Sequence, residues 1–215
     1  MDDAAARWND LDDASGAFRQ AWQALRTGNI AVGACLTDEH GRIVGAARNR
    51  VMDTDGLPGE AWGSSVAHAE MNVLARVPFR KYSELTLTTT LEPCLQCAGA
   101  IRLAPVTTVR FAGADRYWEG CHDFSRLSPR EAARTPLRRI GPMRDELGRF
   151  ATLISLTGPS LTPGFERQLR AIGEGPMVDL ALRLVREGRV ARLAAMDLSS
   201  ALHELWGDLA EPVEA

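Results

Sequence analysis

His68 and Glu70 in "VAHAEM", with Cys94 and Cys97 in "TLEPCLQCAGAI", have residue types and spacing that can do chemistry together. Pro93 opens a helix at the cysteines, so both thiols fall in a first turn, where unpaired amides and the positive dipole end favour thiolate over thiol. Spaced i, i+3, their sulfurs lie on one side and can share one ion. In a reducing compartment such a pair is half a zinc site or a redox C-x-x-C. A redox pair needs no further ligand, and the sequence offers one in His68, flanked by Ala67 and Ala69. Mid-helix residues two apart point away from each other, so His68 and Glu70 serve one site only if His68 stands at the helix start. Three ligands, His68, Cys94 and Cys97, would leave the fourth tetrahedral position of zinc open for water, the mark of catalytic sites. Zinc lowers the pKa of that water toward ~7, and a carboxylate that is not a ligand can move its proton. Glu70 is that carboxylate.

The elements that must position these groups follow from periodicity. Apolar residues at helical spacing from Asp12 to Thr27 predict a helix stopped by Gly28-Asn29. "IAVGACLTDEHGRIVGAARNR" predicts a hairpin ending near Asn49, and the loop "VMDTDGLPGEAWGSSV" has a length that suggests it covers something. A helix over "AHAEMNVLARV", a strand over "ELTLTTTLE", the cysteine helix and a strand over "TTVRFAGAD" complete an α/β pattern. It reads as a central mixed β-sheet with helices on its faces. From Phe124 the character changes: seven arginines (126, 130, 134, 138, 139, 144, 149) stand against three acids (131, 145, 146) up to Phe150. "ATLISLTG" reads as one more strand. Two amphipathic helices are then expected, one from about 163 to 172 and on through "MVDLALRLVREG", the other from about 199 to 209. The division is a core over residues 1–125 and a largely helical C-terminal extension over 126–215.

Composition narrows the function classes. With 45% apolar and 25% charged residues over 215, the chain has the balance of a globular protein. A net charge of −3 argues against a protein whose main work is neutralising phosphates. The opening residues lack a basic and an apolar signal region, and no run approaches a membrane span, so a cytoplasmic location is expected. Cys35 reads as a small core residue on a strand and Cys121 as a loop thiol, so no disulfide framework is expected.

H-x-E followed by P-C-x-x-C, together with "AVGA" and "GAARN", resembles the cytidine deaminase superfamily. Within it the chain is most similar to the branch of tRNA adenosine deaminases, guanine deaminases and cytosine deaminases. The resemblance covers roughly Asp12 to Phe124. It implies the three-layer cytidine-deaminase-like fold, Zn2+ on His68, Cys94 and Cys97, and a homodimer. It also implies that hydroxide activated by zinc attacks the ring carbon bearing the amino group, with Glu70 as proton shuttle and ammonia as product. Asn49 would hydrogen-bond the base or sugar, although an Asn ending a strand is also plain turn chemistry. The backbone around Gly33-Ala34 and Leu91-Glu92 would line the pocket. Tyr117 and Trp118 either stack on a flat base or pack the extension against the core.

The chain departs from the tRNA-editing enzymes in having Ala31 where they show proline before "VGA", and in that Asn49 and His68 are nineteen positions apart. A longer loop at the pocket mouth suits a small enclosed substrate, with Trp62, Tyr117 or Trp118 over the base. The arginine-rich segment meets phosphates or, in the favoured reading, is a solvated face. The expectation is therefore a zinc-dependent hydrolase acting on a free nucleobase or nucleoside, purine or cytosine-type. The alternatives are tRNA adenosine-to-inosine deamination and a non-catalytic zinc-stabilised partner protein.

Overall fold

The computed structural model describes residues 12–159 and 161–210. Helix α1, Asp12–Arg26, leads into a hairpin of β1, Gly33–Asp38, and β2, Ile43–Arg48. The Asp38 carboxylate holds the turn by accepting from His40 N and Arg42 N. The long loop then reaches α2, Ala69–Leu74, followed by β3, Leu85–Leu91, α3, Leu95–Leu103, and β4, Val106–Gly113. The sheet order is β2-β1-β3-β4 with one further strand, β5, Arg138–Ile140, at the edge. β1 pairs antiparallel with β2 and β3, whereas β3–β4 and β4–β5 are parallel. This is the mixed sheet with helices on both faces that the sequence predicts.

Two apolar cores separate the layers. Val32, Ala34, Leu36, Leu85, Leu87, Val109 and Phe111 bury one sheet face against Ala69 and Val73 of α2 and Ile101 of α3. The other face carries α1 and the C-terminal helices, joined by Phe18, Trp22 and Phe150, with ring centroids of 6.2 Å for Phe18–Phe150 and 6.1 Å for Trp22–Phe150. Burying each such phenylalanine is worth about 1.5–3 kcal/mol. The extension is thereby fixed to the first helix by core packing.

Gly33 is where α1 meets the sheet most closely. A Cβ there would stand 2.1 Å from the Ala17 carbonyl oxygen and 2.3 Å from Ala21 N. Both are helix backbone and cannot rotate away. Gly33→Ala is expected to cost about 3 kcal/mol, the upper range for overpacking, read as a lowered urea midpoint with unchanged slope; a neutral result would contradict the close approach.

The later part of the chain departs from expectation in three places. "ATLISLTG" lies in α5, Glu146–Leu156, rather than in a strand. Asp145 caps it, its Oδ1 accepting from Leu147 N and Gly148 N at 3.2 Å, and Leu147, Phe150, Ala151, Leu153 and Ile154 form a buried helical stripe. The helix expected from 163 onward is broken into α6, Pro163–Ala171, and α7, Gly175–Arg186, because Gly173 takes φ +90° between them. Helices α8, Arg189–Ala195, and α9, Leu198–Ala210, end the described chain. In the arginine-rich segment, a short helix α4, Pro129–Ala132, precedes β5. Arg139 and Arg134 pair with Glu92 and Glu131, while Arg126, Arg130, Arg138 and Arg144 are exposed. No helix among the described residues is long and apolar enough to cross a membrane.

Candidate active site

The starts of α2 and α3 meet below the ends of β3 and β4. His68 and Cys94 are the N-cap residues of these helices, both in extended backbone (φ −74°, ψ 156° and φ −66°, ψ 172°), and neither side chain caps its own helix. That placement resolves the H-x-E problem: His68 lies outside the helix, so its ring and the Glu70 carboxylate turn to the same cavity. Pro93 has no amide to give to a sheet ladder, so the strand stops just before the thiols begin.

The donors His68 Nδ1, Cys94 Sγ and Cys97 Sγ all lie within 4.8 Å of one another. Nδ1 stands 3.5 Å from the Cys94 sulfur and 3.4 Å from that of Cys97. Tetrahedral zinc, with Zn–S about 2.3 Å and Zn–N about 2.0–2.1 Å, sets its nitrogen and sulfur ligands about 3.6 Å apart. The donor set and its spacing therefore fit zinc. Bonds from Cys97 and His68 hold the Cys94 thiol down to about 4, against the effect of burial. The Cys94 sulfur and burial together push Cys97 up. The hydrogen bond with Cys94 raises His68.

Glu70 is 3% exposed, and burial raises its pKa above the usual carboxylate range. The Thr89 hydroxyl donates to Glu70 Oε1 (3.1 Å) and the Cys97 thiol lies 3.5 Å from Oε2. A carboxylate so raised is a stronger base than an exposed one and is placed to take a proton and return it.

A cavity of ≈ 160 Å³ opens in front of these groups, lined in part by His68, Glu70, Cys94, Asn49, Leu91 and Glu92. That is room for one small planar ring system, below the roughly 300 Å³ of drug-sized pockets. Trp118 is also on the wall, but Tyr117 is not: it packs edge-on against Trp118 (5.1 Å) and Phe165 of α6 (5.3 Å). Gly33 and Ala34 do not line the cavity either; both are buried, Gly33 under α1, and their neighbours Ile30 and Val32 face the space instead. Asn49 is on the wall and accepts from Val51 N (3.1 Å) through Oδ1.

The long loop after Asn49 does not cover the cavity, and no residue from 50 to 67, Trp62 included, is on its wall. It is pinned elsewhere: Asn29 donates to Asp53 (2.6 Å), Arg48 and Arg50 pair with Asp53, and Arg50 and Arg76 pair with Glu60. Burial raises the Asp53 carboxyl, but bonds from Arg48, Asn29 and Arg50 outweigh it and hold the group below its ordinary value. Enclosure comes from the extension, through Ser155, Leu156, Phe165, Leu169 and Glu174. Asp115 lines the cavity as well, raised to about 7 chiefly by burial. Its signal was present in the sequence, since ligands gather at the carboxyl ends of parallel strands and Asp115 follows β4. The extension residues had none.

Residues 12–112 match the cytidine and deoxycytidylate deaminase zinc-binding region. That stretch includes His68, Glu70, Cys94 and Cys97. Among curated proteins the chain is 30% identical over 122 residues to tRNA-specific adenosine deaminase 2 of Xenopus laevis, covering 52% of this chain and 65% of that one. It is 32% identical over 99 residues to cytosine deaminase of Candida albicans, covering 43% and 61%. The chain thus spans less than two thirds of the length of these relatives. A solved guanine deaminase from Nitrosomonas europaea superposes with a TM-score of 0.50 at 19% identity, over 66% of this chain and 82% of that one, and shares its fold.

Proposed function

We propose that this chain is a zinc-dependent hydrolytic deaminase of a free nucleobase or nucleoside. The observation that carries the reading is the small cavity at the metal triad, walled by the chain's own C-terminal helices with Glu70 at its floor. His68, Cys94 and Cys97 hold zinc, which when bound lowers the pKa of a water toward ~7. Glu70 takes one proton of that water and gives it to the ring nitrogen, then takes the remaining hydroxyl proton and gives it to the departing amine. The C–N bond breaks as the carbonyl forms, so amine plus water become carbonyl plus ammonia. Asn49 donates to an acceptor on the base or sugar, and Trp118 with Phe165 bounds the ring. In this reading residues up to 125 carry the chemistry and residues 126–215 complete the cavity.

A second reading, deamination of adenosine in tRNA, is favoured by the names of relatives such as the Xenopus laevis protein and by exposed Arg126, Arg130, Arg138 and Arg144. Ammonia release by the zinc-loaded protein, measured against bases, nucleosides, nucleotides and a tRNA pool, separates the two. Turnover of a base or nucleoside supports the first; silence on every small molecule with inosine formed in tRNA replaces it with the second.

A further inference from the structure

Asp115 occupies a part of the cavity wall that the proton transfers leave unused. It stands just past the end of β4, with the amides of Tyr117 and Trp118 directed at its carboxyl. Its own amide donates to Glu92 Oε2 (3.4 Å). Two amides do not exhaust a carboxylate, which offers about four lone-pair sites. Acceptor capacity is therefore left on a side chain of the cavity wall, which Asn49 also lines.

The charge of the wall points the same way. Its carboxylates are Glu70, Glu92, Asp115 and Glu174; its cationic side chain, apart from the ligand His68, is Arg116. Arg116 lies 3.6 Å from Glu174, and Arg139, outside the cavity, holds Glu92 at 2.5 Å. A phosphate in this space would have to draw Arg116 away from Glu174 and would then face Asp115 and Glu92, where like charges repel. The rest of the wall, with Ile30, Val32, Leu156 and Phe165, is apolar and suits the faces of a flat ring.

We infer that Asp115 reads the non-reacting edge of the substrate, accepting from a ring N–H or a second amino group, and that the substrate is an uncharged amino heterocycle carrying no phosphate. This rests on the reading of the site as a small-molecule deaminase. The test uses the zinc-loaded full chain and its Asp115→Asn and Asp115→Ser variants. The substrates are guanine, 2,6-diaminopurine, cytosine and adenine, with their nucleosides and nucleoside 5′-monophosphates, and zinc content and thermal midpoint are measured alongside. The wild type is expected to turn over a base or nucleoside that presents a further N–H donor, at least about 100-fold better than its 5′-monophosphate. Asp115→Ser, which withdraws the acceptor, should lower kcat/KM on that substrate by about 100-fold or more, mostly in KM, and Asp115→Asn, which keeps one acceptor oxygen, by less, with zinc content and midpoint kept in both.

Equal turnover of the 5′-monophosphate, or unchanged kcat/KM in both variants beside an active wild type, overturns this inference alone. Loss of zinc or of thermal stability in both variants gives Asp115 a structural role and overturns it too. A wild type silent on every base and nucleoside overturns the small-molecule reading, and this inference with it.

Discussion

Glu70→Gln is expected to lower kcat by about 10²–10⁴-fold, the usual worth of a positioned acid–base group, while zinc content, fold and KM stay near those of the parent. Glutamine has the shape of glutamate and keeps an oxygen to accept from the Thr89 hydroxyl, which lies 3.1 Å from Oε1. What it cannot do is take a proton from water and return it. Burial raises the Glu70 carboxyl, which makes the parent group a better proton acceptor than an ordinary carboxylate. A loss confined to kcat identifies an interaction made in the transition state. Zinc content comes from elemental analysis of the dialysed protein and kcat from ammonia release. Turnover within about tenfold of the parent would remove Glu70 from the proton path.

Cys97→Ser is expected to abolish stable zinc binding, from about one ion per chain to a small fraction, and activity with it. Cys97 is fully buried at the start of α3, with its sulfur 3.4 Å from His68 Nδ1. A serine hydroxyl is a shorter and far less acidic donor, so the set falls to two good ligands, fewer than zinc sites use. The bond with Cys94 and burial raise the Cys97 thiol, and its proton must leave when metal binds. Zinc uptake by the metal-free protein should therefore release protons, and affinity should fall as pH falls. Cys121, whose sulfur bonds the Pro93 carbonyl oxygen at 3.5 Å, lies outside the triad, so Cys121→Ser should keep the parent's zinc. Full zinc occupancy in Cys97→Ser, shown by elemental analysis after dialysis, would disprove the ligand set.

Much of this was legible because it is local. The i, i+3 cysteines after Pro93, the helix stop at Gly28-Asn29 and the hairpin around Asp38–Gly41 are each set within a few residues, and the structure places them accordingly. The expected strand in "ATLISLTG" failed because short apolar runs do not separate strand from helix. The deciding feature was the Asp145 cap just outside that run. The loop after Asn49 was assigned to the pocket mouth on length alone, whereas Asn29, Arg76 and Glu60 draw it away through contacts no local pattern carries.

By itself, then, the sequence determined the three candidate metal donors, the carboxylate beside them and the elements that present them, because those depend on side-chain type, short spacing and helix starts. The tertiary structure alone decided what surrounds them. Phe150 packing on Phe18 and Trp22 swings the C-terminal helices over the cavity, Gly33 lets α1 close onto the sheet, and β4 delivers Asp115 to the wall. Those contacts join residues far apart in the chain, and long-range packing leaves no periodic mark in either partner.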